Sequence, residues 1–102
     1  MVNKTKHVVV WDKPAYASLQ KAYERIKKDS PANAEKVREV ILKTARGLAD
    51  HPEKYPPDKF KADNQGDYRA FERFSYRVAY KVKKKEIIIL RVRHVKQEPK
   101  EY

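Results

Sequence analysis

Apolar positions along the chain follow two kinds of spacing, and the change from one to the other divides it. From Tyr76 to His94, YRVAYKVKKKEIIILRVRH, two β-branched, aromatic-rich runs flank a lysine cluster, the pattern of an antiparallel hairpin. Tyr76, Val78, Tyr80 and Val82 share one parity and Arg77, Ala79 and Lys81 the other, so a period of two assigns one apolar and one cationic face. In the second run Ile88, Leu90 and Val92 continue one side, while Arg91 and Arg93 extend Ile87 and Ile89 on the other. The turn decides how the runs combine, because a one-residue slip moves every side chain to the opposite face. An odd Lys83-Lys84-Lys85 loop sets Val78 opposite Leu90 and Arg77 opposite Arg91. A two-residue turn mixes the faces, and no Asn-Gly or Asp-Gly is present to favour it. The odd loop is therefore expected, with Val78, Tyr80, Ile88, Leu90 and Val92 on an apolar face and Arg77, Lys81, Arg91 and Arg93 on its reverse.

Upstream, the apolar spacing becomes three and four. Val8 to Trp11 reads as a short strand ended by Asp12-Lys13-Pro14, with Asp12 as N-cap and Pro14 in a first helical turn. Tyr16, Leu19, Tyr23 and Ile26 mark one stripe of a helix over 14–29. Ser30 and Pro31 restart the pattern, and Ala34, Val37, Ile41, Ala45 and Leu48 carry a second helix to about Asp50, before Pro52 forbids continuation. Two such helices joined by one tight break form an αα-hairpin. The stretch from His51 to Asp67 holds three prolines and no periodicity, a long loop for a small domain. Gln65-Gly66-Asp67 signals a turn, Tyr68 to Phe74 a strand, and Ser75 a short turn into the hairpin. The predicted fold is α+β: an N-terminal strand, a two-helix antiparallel hairpin, then a three-stranded antiparallel meander over 68–74, 76–82 and 86–93, with the helices on one sheet face. Residues 1–102 are expected to form a single domain.

Charge alters this picture. Lys and Arg number 25 against 14 Asp and Glu, a formal net charge of +11, which makes a polyanion or an acidic protein the expected partner. Like charges directly opposite in a sheet destabilise it, so facing arginines call for an anion between them. Without cysteine, disulfides, thiol catalysis and cysteine-bound zinc are excluded. No apolar run is long enough for a signal peptide or a membrane span. A cytoplasmic protein is expected, with no membrane partner, metal or other cofactor.

The segments VVVWDKPAYASL, SPANAEKV, GLADHP, YRAFERFSYRVAYKV and IIILRVRHVKQEP together resemble the RelE/ParE toxins of bacterial type II toxin–antitoxin modules, over nearly the whole chain. The strand pair "YR-apolar-x-Y-x-V" and "I-x-I-L-x-V-x-H" is the specific part. The resemblance implies a toxin that an acidic antitoxin from an adjacent gene wraps and neutralises, hence a hetero-oligomer. It also implies one of two targets. RelE-like members cut mRNA in the ribosomal A site without a metal, whereas ParE-like members poison DNA gyrase. Arg77 matches the arginine of the ribonuclease members, Arg69 falls where some carry a basic residue, His94 where a subset has a catalytic histidine, and Tyr102 roughly where others have a tail tyrosine. Phe71 stands where some nucleases have a second lysine, and no glutamate matches as general base. The paired helices and the SPANA start look more like the gyrase-poisoning branch.

Metal-free RNA cleavage needs a base for the 2′-hydroxyl, cations for the phosphate charge and an acid for the leaving oxygen. Arg77, Arg91 and Arg93 suit phosphate because guanidinium meets it in a bidentate fork. His94 has the ring for proton transfer, although its parity with Val92 places it on the helix side, where packing competes with catalysis. Asp58 and Glu98 are the nearest acidic candidates for a base. The expected catalytic set is Arg77, His94 and Arg91, with Arg69, Lys81, Arg93 and Tyr102 binding substrate; antitoxin binding is the competing role of the same arginines. His7 and His51 are assigned no chemistry. RNA cleavage is the leading reading, gyrase poisoning the alternative, and a plain nucleic-acid-binding module lacks a recognition-helix signature.

Overall fold

The computed structural model describes residues 6–97 and 101–102. In chain order the elements are β1 (Val8–Trp11), α1 (Lys13–Asp29), α2 (Pro31–Gly47), β2 (Tyr68–Arg73), β3 (Tyr76–Val82) and β4 (Glu86–His94). The expected meander β2-β3-β4 is present, and β1 adds to its far edge, parallel to β4, giving the order β1-β4-β3-β2. A parallel pair needs a long crossover, which here runs through both helices and the first two strands of the meander. Among the described residues no helix is long and apolar enough to cross a membrane.

Ser30 makes the break between the helices. Its N–H donates to the Ile26 carbonyl at 2.9 Å, closing α1, while its hydroxyl accepts from Asn33 N–H at 3.2 Å, opening α2. Asp12 holds the N-cap position of α1 but makes no side-chain cap; its carbonyl accepts from Tyr16 N–H and its own N–H donates to the Ile89 carbonyl of β4, each at 3.0 Å. Helix α2 stops at Gly47 and not at Asp50, since Leu48, Ala49 and Asp50 turn back to carbonyls three residues earlier. The turn from β2 to β3 uses Phe74 and Ser75, both at positive φ (52° and 67°), the backbone that matches strand twist in a two-residue hairpin. Phe74 lies under the Lys36 ammonium, 5.7 Å from its ring centroid, so α2 braces this turn.

The helical stripes Ala15, Leu19 and Ala22, and Val37, Ile41, Ala45 and Leu48, bury against Phe71, Tyr76, Val78, Tyr80, Ile87, Ile89 and Val92. Tyr16, expected on that stripe, is 55% exposed and meets Trp11 edge-on instead. The hairpin also departs from expectation. Val82 stands opposite Ile87 and the Lys83 N–H donates to the Glu86 carbonyl at 2.8 Å, so Lys84 and Lys85 alone make the reversal. This even turn puts Ile87 and Ile89 in the core, not Ile88 and Leu90. A bulge then corrects the parity. Tyr80 faces Ile89 and Ala79 faces Arg91, leaving Leu90 as the extra residue that bulges insert. Beyond it Val78 pairs with Val92 and Arg77 with Arg93, not with Leu90 and Arg91. Arg77, Lys81, Arg91 and Arg93 still share the face away from the helices.

Deleting Leu90 is therefore expected to leave a regular ladder in which Ile89 and Val92 stay buried. Urea denaturation should show a cooperative fold weaker by about 1–2 kcal/mol, for loss of one half-buried leucine. The truncation Ile89→Ala, at a fully buried position, should cost about 2–5 kcal/mol.

Candidate functional site on the open sheet face

The long loop before β2 folds back along the edge of that strand. Pro57 bridges to Arg69, and the Asp58 N–H donates to the Tyr68 carbonyl at 2.8 Å. Asn64 fastens the return: its Oδ1 accepts from Gly66 N–H (2.9 Å) and Tyr68 N–H (3.2 Å), and its Nδ2 donates to the carbonyls of Asp58 (3.2 Å) and Tyr68 (2.8 Å). Gly66 sits at φ 97°, a conformation side chains disfavour. The result is to aim Asp58, 3% exposed and the one buried charged residue among those described, across the open face.

There Arg77 meets two carboxylates. Its Nη2 donates to Asp58 Oδ1 and its Nη1 to Glu72 Oε2, each at 2.8 Å. The other Asp58 oxygen accepts from the Tyr102 hydroxyl at 2.6 Å, and Oδ1 also accepts from Phe60 N–H at 3.1 Å. Tyr102 is held by its backbone too, with N–H to the Phe60 carbonyl (3.0 Å) and its own main-chain oxygen accepting from Ala62 N–H (2.7 Å). The Arg77 guanidinium lies 5.0 Å from the Phe60 centroid and that of Arg91 4.4 Å from Tyr102. Burial alone raises the Asp58 carboxyl, but hydrogen bonds from Tyr102, Arg77 and the Phe60 N–H outweigh it and hold the group below its usual value. Burial lowers Arg77, yet its bonds to Asp58 and Glu72 leave it raised. The Tyr102 hydroxyl is pushed well up by burial and by the carboxylate it serves.

A cleft of about 190 Å³ beside this cluster is lined by Glu72, Arg77, Arg91, Arg93 and His94, among others. The structure thus gathers Arg77, Arg91, Arg93, His94 and Tyr102 around one place. Lys81 lies farther along the same face, 5.0 Å from the Tyr68 ring. His94 pairs with Tyr76, where the expected register sets Val92, and packs edge-on against that ring at 5.1 Å. Its Nδ1 accepts from Lys96 N–H at 3.0 Å, which in a neutral ring leaves the proton on Nε2. Arg69 is not brought to this face. Opposite Tyr80, it spends its donors on the carbonyls of Gly66 (3.0 Å) and Tyr55 (2.7 Å), tying down the loop. Glu98 lies outside the described residues. Among those described, no three His, Asp or Glu side chains form a metal-ligand group. Sequence reasoning undervalued Asp58, since nothing local to PPDKF distinguishes it from a solvated loop carboxylate.

Asp58→Asn is expected to cost about 3 kcal/mol at neutral pH, because breaking a buried pair from one side leaves a poorly compensated charge. A carboxyl whose folded pKa lies below the ordinary 3.8 contributes fully above its unfolded value and loses that contribution as pH falls through the folded one. Urea denaturation of both proteins at pH 7 and in acid should show the gap closing as pH drops. A gap that persists in acid contradicts the ionic role.

The fold has solved counterparts. A toxin–antitoxin chain of the chromosomal ParDE system from P. aeruginosa aligns with a TM-score of 0.70 at 22% identity, covering 89% of this chain and 98% of that one. A chain of the RelBE2 toxin–antitoxin complex from Mycobacterium tuberculosis aligns with a TM-score of 0.61 at 20% identity, covering 90% and 94%. At these identities the likeness is one of fold. No curated protein matches in sequence. The family model described as the ParE toxin of the type II toxin–antitoxin system parDE matches residues 9–99, so Asp58, Glu72, Arg77 and the strands β2 to β4 fall within the match while Tyr102 lies beyond it, and the chain belongs to that toxin family.

Proposed function

We propose that this toxin acts by binding its target, as the resemblance assigns to the gyrase-poisoning members, and not by cutting mRNA. The observation that carries this reading is the commitment of Arg77 to Asp58 and Glu72. To offer a phosphate the Nη donors it now gives to carboxylates, Arg77 must abandon one that is 2% exposed, and its Nε is buried and bonded to no acceptor among the described residues. Breaking a buried pair costs about 3–5 kcal/mol, and one well-placed oxyanion donor supplies about 2.7–4 kcal/mol. The two nearly cancel, so the guanidinium has little left to give a reaction. The same cation is well employed as a structural tie.

RNA cleavage is the second reading, favoured by the joint presence of Glu72, Arg77, Arg91, Arg93 and His94 around one cleft. In that case Arg77→Ala removes phosphate stabilisation worth about a hundredfold or more in rate, and His94→Gln removes a proton donor worth about a hundredfold. Under the binding reading His94→Gln leaves toxicity unchanged. Expression without an antitoxin, with cellular mRNA ends mapped beside a supercoiling assay of purified gyrase, separates them. Intact mRNA with inhibited supercoiling is expected; toxin-dependent mRNA cleavage with unaffected gyrase overturns the proposal.

A further inference from the structure

A second concavity, of about 330 Å³, opens on the helix side between the end of α2, the segment after it and the end of β2. Lys43, Lys54 and Arg73 line it, and among the described residues none of the three forms an ion pair. Their aromatic centre is Tyr55, with Lys54 Nζ 5.5 Å and the Arg73 guanidinium 5.5 Å from its centroid. The Tyr55 hydroxyl accepts from Arg73 Nη2 at 2.9 Å, which leaves its own proton for another acceptor. Asp50, also in the lining, is engaged by Lys6 at 3.4 Å. The α2 dipole accounts for a cation in its last turns, but not for Arg73, which comes from the sheet. Ammonium, guanidinium and phenol donors line this groove, and the one carboxylate among them, Asp50, is held by Lys6, which suits the site to an acceptor-only group.

We infer that this groove docks a carboxylate of an acidic polypeptide segment, namely that of the antitoxin, an assignment that rests on the toxin–antitoxin reading. A phosphodiester backbone is the poorer fit, since it neutralises charge along a continuous cationic track. Here Glu39, exposed one turn before Lys43 on α2, interrupts any such track. A single acidic side chain needs no track. Its aliphatic stem lies along Tyr55 and the bare Gly47, where an added Cβ meets nothing within 4 Å.

The test uses the full chain and a fluorescent, capped hexaglutamate peptide, followed by anisotropy. Lys43→Glu combined with Lys54→Glu is expected to weaken binding by about tenfold or more, as for charges that contact a partner directly. Gly47→Phe, whose Cβ meets nothing within 4 Å and whose ring occupies the groove without altering charge, should weaken it comparably. Lys84→Glu with Lys85→Glu, an equal charge change at the hairpin tip, should have little effect. Equal losses in the groove and tip variants, or tighter groove binding by single-stranded DNA of matched charge, overturn the inference. The adjacent-gene antitoxin provides a second arm, and its complex with the groove variants should dissociate faster. If it binds wild type and groove variants alike, the groove assignment fails and the toxin–antitoxin reading stands. If it does not bind wild type, that reading fails, and the peptide still decides whether the groove takes carboxylates.

Discussion

Two arginines set directly across from one another in neighbouring strands are the constraint on which this structure turns. Arg77 and Arg93 are such a pair, and like charges in that position repel. The chain resolves the conflict internally by bringing a loop carboxylate, Asp58, from 19 residues away onto Arg77 and adding Glu72 from the adjacent strand. To reach that position Asp58 is buried, and a buried charge must be paired and hydrogen-bonded. Arg77, Phe60 and Tyr102 supply those three bonds. The loop conformation, the seating of Tyr102 and the closure of the sheet face therefore depend on one another.

That arrangement redistributes the surplus charge. The face with the most regular array of cations carries its own counter-charges, while Lys43, Lys54 and Arg73 on the helix side make no ion pair among the described residues. A charge of +11 still draws acidic partners over a distance, but the strongest guanidinium–carboxylate contact on the sheet is already made. A toxin built this way presents an internally braced surface. On the function proposed above, such a surface serves recognition of a macromolecule and spares the displacement of a buried carboxylate.

The elements were legible because their signals are local. The stripes of α1 and α2, the Ser30-Pro31 break and the alternation in β3 each depend on residues within a few positions, and strands 76–82 and 8–11 have the expected bounds. The side of the sheet carrying Arg77, Lys81, Arg91 and Arg93 was legible for the same reason. Register was not. The tight Lys84-Lys85 turn and the Leu90 bulge each shift parity once, and the two shifts cancel beyond the bulge, so the arginine face and Val92 were assigned correctly while Ile88 and Leu90 were put in the core in place of Ile87 and Ile89, and Val78 and Arg77 were given incorrect partners. The place of β1 beside β4 depends on a long crossover with no local signature. Asp58 and Tyr102 were illegible as a pair because only the folded loop and tail bring them within hydrogen-bond reach, 44 residues apart in sequence. The separation of Arg69 from the other arginines follows from strand parity, which the uneven pattern of Phe71 and Phe74 in YRAFERF obscured.

The claim that Arg77 is a structural tie and not a phosphate ligand is tested most directly by side-chain NMR of arginine guanidinium groups at neutral pH. The Arg77 Nη protons are expected to exchange slowly, with restricted rotation and couplings to the Asp58 and Glu72 carboxylates, and a short single-stranded RNA should leave these signals unmoved. A freely rotating Arg77, or one whose resonances shift onto added RNA while those of Asp58 report the loss of a partner, would contradict it.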